Sequence, residues 1–352
     1  MPSSSTEPAA LLAEAEAHWA ARGAALHPGW PLARALVSAY CAGVDWADEA
    51  AVRALDGPCL CLANHQTYVE SVVFAVAMPG PLGRPVVALA REAQRTHWTG
   101  QLGATWFEHP AFASMDLVSF FDRDDPAALA PAVAALAARA SPGNPGRGRS
   151  LLVHVEGTRR RSARRGRVQF LSPLWPALAL ETGWPVVPVR FTGGLPREDE
   201  GRRHDFPVDL GRQRIRVGAP IPAQAFRGLG EGDSVHMCRD AVNALSDADE
   251  HPLPGLPGLA DTTVRWQELT GTGEGPAKCL AALVHAPGPG RLPGQATPTG
   301  HHAAELAAAA ARALLAGKPA ARLVLPATAE GRWDARALRW LMGPRGPAVE
   351  VA

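Results

Sequence analysis

The sequence predicts an α/β protein with a mixed, mostly parallel sheet flanked by helices, N-terminal helices and a small C-terminal extension. From about residue 57 to residue 250, short apolar runs alternate with longer helical patterns. This alternation is typical of a sheet covered by helices on both faces. A length of 352 residues with 47% hydrophobic residues also suffices for two domains, or for one large domain with an extension.

The N-terminal region is predicted to be helical. Apolar residues recur at helical spacing over residues 11–19 and again over 32–40, and the second helix is predicted to end near Gly43. This region contains three tryptophans, Trp19, Trp30 and Trp46. They suit either core anchors or a membrane interface.

The central region carries the predicted sheet. Short apolar runs predict strands at Cys59–Ala63, Val86–Ala90, Val118–Phe121, Leu151–Val155, Val186–Arg190 and Ile215–Val217. Helical periods predict helices at Tyr68–Ala77, Pro126–Ala140, Pro173–Thr182 and Ser234–Ser246. Glycine, proline and serine predict a loop over residues 139–150.

The composition changes after about residue 250. Residues 251–300 are dense in proline and glycine and are predicted to be mostly irregular. The elements predicted after them are a helix at Ala303–Leu315, a strand at Arg322–Leu325 and a helix at Trp333–Leu341. The predicted organisation is an N-terminal helical segment (1–50), a central α/β domain (51–250), and a linker with a small accessory α/β element (251–352).

Composition excludes several classes of protein. The formal net charge is +1, which gives no global argument for a nucleic-acid partner. Five cysteines in so long a chain do not form a disulfide scaffold and fit a reducing compartment. The acidic start is not typical of a signal peptide, and no run of about 18 apolar residues predicts a spanning helix. We therefore expect a cytoplasmic protein, with peripheral contact to an anionic membrane left open.

The first segment with catalytic potential begins at Asn64. His65 follows a predicted strand and precedes a predicted helix, and Glu70 lies about one turn into that helix. The positive end of a helix dipole favours the neutral, proton-accepting form of a histidine. A nearby carboxylate can orient the imidazole and stabilise its protonated form. This pattern predicts a base and its orienting acid.

Two further segments place polar residues after predicted strands. Arg123 follows Val118–Phe121 and suits a bidentate grip on phosphate, although an ion pair with a neighbouring Asp is the alternative. Glu156, Gly157, Thr158 and Arg159 follow the strand Leu151–Val155. Gly157 permits close backbone approach, and the next two residues supply donors to an anion.

The third segment continues into an arginine-rich run. Six of the nine residues from Arg159 to Arg167 are arginine, and nucleic-acid binding is the rival interpretation. The run lacks interleaved aromatic residues and the net charge is low, so no nucleic-acid partner is expected. A fourth segment, Trp184–Arg190, is an apolar strand with two prolines, which predicts an edge position or a strand start.

These four segments, in this order, resemble the four sequence blocks of the glycerolipid acyltransferase family, which includes bacterial 1-acylglycerol-3-phosphate acyltransferases. The resemblance covers roughly residues 55–220. It rests on Asn64-His65 with an acid at 70, an aromatic strand followed by Arg123, Glu156-Gly-Thr-Arg159, and the Val-Pro-rich strand before Arg190. Glu70 stands where the family has aspartate.

The resemblance implies acyl transfer in phospholipid biosynthesis. His65 would act as general base with Glu70 orienting it, so that an acceptor hydroxyl attacks the thioester of acyl-CoA or acyl carrier protein directly. Arg123, together with residues 156–159, would hold the polar head of a lysophospholipid. No metal or redox cofactor is implied, and no cysteine or histidine spacing matches a zinc pattern.

Three alternatives stay open on the sequence. The acceptor could lack a phosphate, or the chain could be a non-catalytic lipid-binding module. Hydrolysis of the thioester is the third, since Cys59 and Cys61 lie close to His65 in sequence, although no Gly-x-Ser-x-Gly motif is present.

Overall fold

The structure, a computed structural model, describes residues 3–21, 27–109, 117–121, 125, 131, 133, 148–246, 250–285, 302–319 and 322–352. The strands are β1 (Ser4–Thr6), β2 (Cys41–Trp46), β3 (Leu60–Ala63), β4 (Val86–Arg91), β5 (Val118–Phe121), β6 (Ser150–His154), β7 (Val186–Thr192), β8 (Gln213–Val217), β9 (Leu323–Leu325) and β10 (Val349–Val351).

The α-helices within these described residues are α1 (Pro8–Ala20), α2 (Trp30–Tyr40), α3 (Glu49–Arg53), α4 (Val69–Ala77), α5 (Pro79–Leu82), α6 (Trp98–Leu102), α7 (Leu174–Thr182), α8 (Glu231–Ala244), α9 (Leu259–Thr270), α10 (Glu274–His285), α11 (His302–Leu315) and α12 (Ala329–Met342). A π-helical turn covers Gly103–Phe107, and short 3-10 turns cover Glu92–Gln94, Ala163–Arg165, Val208–Leu210 and Ala223–Phe226.

The chain forms two compact units. The first comprises residues 1–24, 40–92 and 117–254, and the second comprises residues 25–39, 93–116 and 255–352. The predicted domain boundaries at residues 50 and 250 remain a prediction, because each compact unit combines several separate segments of the chain.

The first unit is built on a sheet with strand order β1-β2-β8-β7-β3-β6-β4-β5. The pairs β2–β8, β7–β3, β3–β6, β6–β4 and β4–β5 are parallel, whereas β1–β2 and β8–β7 are antiparallel. The predicted mixed, mostly parallel sheet is confirmed. Because β3, β6 and β4 are parallel neighbours, their carboxyl ends meet at one edge, where open α/β sheets bind ligands.

A hydrophobic core packs against this sheet. It joins apolar residues of the central strands to residues of α7 and α8. Its members include Leu60, Leu62, Val87, Leu151, Val153, Trp175, Leu178, Val186, Phe226 and Val242. Strands β3 and β7 are buried at every position, as expected for parallel strands covered on both faces.

The second unit is mainly helical, with a small parallel pair formed by β9 and β10. The rings of Trp106 and Trp333 meet edge to face with centroids 5.8 Å apart. The indole of Trp266 donates to the carbonyl of Leu341 at 3.0 Å. Large buried aromatic rings of this kind supply much of the apolar area in a small helical core.

Most predicted elements of the sheet region are present. The six predicted strands are found with bounds shifted by at most two residues, and the helices predicted at 68–77, 173–182 and 234–246 correspond to α4, α7 and α8. The predicted helix at 126–140 and the loop at 139–150 lie mostly outside the described residues. Trp30 and Trp46 are buried, which supports the core-anchor alternative for these two residues.

Two features were not expected from the sequence. The helix predicted to end near Gly43 ends at Tyr40, and the chain passes from it directly into the fully buried strand β2, without an intervening turn. Residues 251–300 were expected to be mostly irregular, but α9 and α10 occupy most of the described part, residues 251–285. Gly258 and Gly271 flank α9 in the left-handed conformation, so these glycines mark helix ends instead of preventing a helix.

Candidate active site

His65 and Glu70 meet at the carboxyl end of β3. His65 lies in the turn between β3 and α4, and its carbonyl accepts from the Arg160 amide at 3.0 Å. Glu70 lies in the first turn of α4, and its Oε1 is 2.7 Å from His65 Nδ1. The structure therefore brings the predicted base and acid into direct contact.

The Glu70 carboxylate is held by four donors. Oε1 accepts from the Gln66 amide at 3.0 Å as well as from His65, and Oε2 accepts from the Thr67 amide and from Gln213 Nε2, each at 3.0 Å. Four donors on two oxygens match an ionised carboxylate, which only accepts. Complete burial opposes that charge and raises the pKa of Glu70 to about 7.

The contact with Glu70 sets the tautomer of His65. An ionised carboxylate accepts the Nδ1 proton, so the neutral ring carries its free lone pair on Nε2. Nε2 has no hydrogen-bond partner in the part of the chain that the structure describes. Burial, with the positive charges of Arg159 and Arg91, lowers the pKa of His65 to about 3. The ring is thus neutral at physiological pH and can accept a proton at Nε2.

A second histidine, His154 at the end of β6, stacks on His65. The ring centroids are 3.8 Å apart and the planes differ by 19°. His154 was not predicted from the sequence, because its partners come from the turn after β3 and from α4, far away along the chain. The only available signal was a polar residue at the carboxyl end of a buried parallel strand.

His65, Glu70 and His154 are also a set of residue types that can bind a metal, with donor atoms within 4.8 Å of one another. A metal bound by imidazole lies in the plane of each ring, and two nearly parallel stacked rings do not direct their lone pairs to one point. The observed arrangement favours a hydrogen-bonded network.

Two of the residues predicted to hold the acceptor headgroup, Arg159 and Glu156, already have protein partners. Arg159 forms an ion pair with Asp205, donates to the carbonyl of His204 at 2.7 Å, and lies 3.7 Å over the ring of Tyr68. Glu156 accepts from Arg160 Nε at 2.9 Å. The charge of Glu156 is therefore neutralised within its own turn.

A second arginine, Arg91, contacts the turn after β6. Gly157 has a φ of +60°, a left-handed conformation that favours glycine, and its carbonyl accepts from Arg91. Arg91, which was not predicted from the sequence, ends β4 at the carboxyl edge of the sheet. Thr158 is exposed. Arg123, predicted to bind phosphate, lies outside the described residues.

The Val-Pro-rich segment forms the buried strand β7 and is not an edge strand. Arg190 on this strand is fully buried, donates to the carbonyl of Gly166 at 2.5 Å, and pairs with Glu250 at 3.4 Å. Pro188 has no amide hydrogen to donate, but it still pairs with both neighbouring strands. It faces Leu62 in register, and its carbonyl accepts from the Gly218 amide at 2.8 Å.

Residues 47–192 match the family model described as Acyltransferase. This segment is an acyltransferase domain. The matched range contains every residue predicted for the site, from His65 to Arg159, and the predicted acyltransferase family is confirmed for this segment. The prediction that the chain is an O-acyltransferase enzyme is confirmed with it.

Comparison with solved structures finds the 1-acyl-sn-glycerophosphate (LPA) acyltransferase PlsC from Thermotoga maritima. The match covers 57% of this chain and 70% of that chain, at 18% sequence identity and a TM-score of 0.38. No curated protein is significantly similar to the chain in sequence. Among the described residues, no helix is both long and apolar enough to cross a membrane.

Proposed function

We propose that the acyltransferase domain transfers a fatty acyl group from acyl-CoA or acyl carrier protein to a hydroxyl of a lysophospholipid such as 1-acylglycerol-3-phosphate. The observation that carries this proposal is the pairing of His65 with Glu70. Nδ1 is held at 2.7 Å by the carboxylate, and Nε2 is left without a partner in the described part of the chain.

In this mechanism His65 Nε2 takes the proton of the acceptor hydroxyl as its oxygen attacks the thioester carbonyl carbon. The carbon–sulfur bond then breaks, and the leaving thiolate takes the proton from His65. Glu70 stabilises the imidazolium that exists between the two steps. Because both substrates are held beside one base, their proximity also contributes to the rate acceleration.

The acceptor headgroup would lie near two arginines. Among the described residues, the positive charges of Arg91 and Arg159 act on His65. Both would favour an anionic acceptor such as a phosphate monoester. A second candidate is an acceptor without phosphate, favoured by the ion pair between Arg159 and Asp205, which already neutralises one of these cations.

The first test is acyl transfer by the purified chain, with long-chain acyl-CoA or acyl carrier protein as donor and a panel of acceptors. The panel includes lysophosphatidic acid and the corresponding monoacylglycerol, which lacks only the phosphate. We expect His65→Ala to lower kcat by about 10²- to 10⁴-fold, the usual contribution of a positioned base.

His236→Ala is the matched control, because His236 is an exposed histidine on α8. It should transfer at the rate of the unmodified chain. Transfer to monoacylglycerol alone would select the second candidate. The absence of acylated product with every acceptor and both donors would contradict the proposal.

We also propose peripheral contact of this unit with an anionic membrane. Arg161, Arg164 and Arg167 are exposed, and Phe170, three residues further along, is 62% exposed. Exposed arginines next to an exposed aromatic ring suit a surface that carries anionic lipid headgroups.

A further inference from the structure

Ser71 follows Glu70 on α4 and contacts the second histidine of the site. Its Oγ is 2.7 Å from His154 Nε2, and the side chain is partly buried. The proposed transfer mechanism uses neither residue. A hydroxyl within hydrogen-bond reach of an imidazole, which is itself oriented by a third group, is the arrangement of an activated nucleophile.

The direction of these hydrogen bonds is set by the third group. His154 Nδ1 lies 2.8 Å from the carbonyl of Asn64, and a carbonyl only accepts, so Nδ1 carries the proton. In the neutral ring, Nε2 is then the acceptor and the Ser71 hydroxyl donates to it. This polarity is the one that a serine nucleophile needs from its base.

Glu70 also lies beside this second imidazole. Its Oε1 is 3.6 Å from His154 Nδ1 and 2.7 Å from His65 Nδ1. One buried carboxylate therefore stands next to both rings and can stabilise a positive charge on either. His65 Nε2 has no partner among the described residues and can receive a hydroxyl that arrives from outside, whereas His154 already holds a hydroxyl of the protein.

Neither base is protonated at neutral pH. Burial and the neighbouring His65 lower the pKa of His154 to about 3, although Glu70 partly opposes this shift. A neutral His154 is the form that can take the Ser71 proton.

We propose that Ser71 and His154 form a nucleophile–base pair that hydrolyses the acyl thioester through an acyl-Ser71 ester when no acceptor is bound. This inference rests on the proposed function, because it uses the thioester donor that the site is proposed to bind. It assigns an acyl-thioester hydrolase activity to the acyltransferase domain.

The proposed hydrolysis has two steps, acylation of Ser71 and hydrolysis of the acyl-Ser71 ester. Ser71 Oγ attacks the thioester carbonyl carbon, its proton moves to His154 Nε2, and the thiolate leaves with that proton as the carbon–sulfur bond breaks. Water then attacks the acyl-Ser71 carbonyl and gives a proton to His154 Nε2. The ester bond breaks, and Ser71 recovers the proton while the free fatty acid departs.

The cysteines suggested by sequence proximity do not fit this role. Both are fully buried, Cys59 directly before β3 and Cys61 within it. The Cys59 thiol contacts Ser150 Oγ at 3.2 Å and the Cys61 sulfur at 3.9 Å, and neither contact involves an imidazole.

The test measures thiol release from long-chain acyl-CoA without any acceptor, together with labelling by a fluorophosphonate probe that reacts with activated serines. We expect Ser71→Ala to lower thiol release by at least about 100-fold and to abolish labelling. Mass spectrometry should place the label, and a rapidly quenched acyl adduct, on the peptide that contains Ser71.

Matched variants separate a chemical role from a structural one. Ser234→Ala, at a buried serine of α8, should release thiol and accept the label like the unmodified chain. His154→Phe keeps a ring against His65 but removes the base, and should lose thiol release as Ser71→Ala does.

His65→Phe separates this inference from the proposed function. It keeps a ring beside His154 and removes the base for the acceptor, so transfer should be lost while acceptor-free thiol release and Ser71 labelling persist. If Ser71→Ala releases thiol at the rate of the unmodified chain, or if the label lies on another residue, the nucleophile assignment is overturned. Transfer by the unmodified chain would still stand in that case.

Discussion

At the scale of single residues, the protonation of His65 and Glu70 controls the proposed base. Burial raises the pKa of Glu70 to about 7 and lowers the pKa of His65 to about 3. The active form has an ionised Glu70 and a neutral His65, and it is lost when the pair takes up one proton. Activity is therefore expected to fall as the pH drops through about 7.

We expect kcat/KM for acyl transfer to fall about tenfold for each pH unit below 7. Glu70→Gln should show a much lower rate and no such limb, because the titrating carboxylate is gone. The measurement is a pH–rate profile of both proteins with the same donor and acceptor. A plateau for the unmodified chain that extends down to pH 5 would refute this assignment.

At the scale of elements, one asparagine joins the end of β3 to β7. Asn64 Nδ2 donates to the Phe191 carbonyl at 2.9 Å, and the Phe191 amide donates to Asn64 Oδ1 at 2.7 Å. The side chain thus replaces a pair of strand hydrogen bonds at the point where the backbone turns toward His65. Asn243 makes the same two bonds to Val168, at 3.0 and 2.7 Å.

This pair of equivalent contacts gives a matched experiment. Asn64→Ala and Asn243→Ala each leave one backbone amide and one carbonyl without their side-chain partner. We expect each substitution to lower the free energy of unfolding by about 1–3 kcal/mol, measured by urea denaturation. Only Asn64→Ala should lower kcat, by at least about tenfold, because it frees the turn that positions His65. Equal kcat values for the two variants would contradict this role of Asn64.

The sequence predicted the elements of the sheet well, because β3, β6 and β7 are short apolar runs between turn residues. It failed at β2, where no turn residue separates helix from strand. Within the site, His65 and Glu70 were found because they are five residues apart on one turn. His154 was missed because it enters from another strand.

At the scale of the whole molecule, the formal net charge of +1 provides no long-range attraction to an anionic surface. Membrane contact would then depend on the local group of Arg161, Arg164, Arg167 and Phe170. Each arginine near an anionic surface contributes about 1 kcal/mol, and salt screens this contribution over about 8–10 Å.

We therefore expect more of the chain to sediment with anionic vesicles than with neutral ones, and less as the salt concentration rises. Arg161→Glu with Arg167→Glu should reduce sedimentation severalfold. The control is the double substitution Arg203→Glu with Arg227→Glu, at two other exposed arginines, which makes the same change in net charge. Equal losses in the two double variants would show that net charge alone governs the interaction.

The sequence alone was sufficient for the α/β class, the order of the four segments and the His65–Glu70 pair, because periodicity and short spacings are local properties of a chain. Three features required the folded chain: the stack of His154 on His65, the hydroxyl of Ser71 at His154 Nε2, and Gln213 on the Glu70 carboxylate. They join residues of β6, α4 and β8 to the turn after β3. Strand order and register bring these residues together. Because the partners are more than about 80 positions apart along the chain, local sequence patterns do not reveal the contacts.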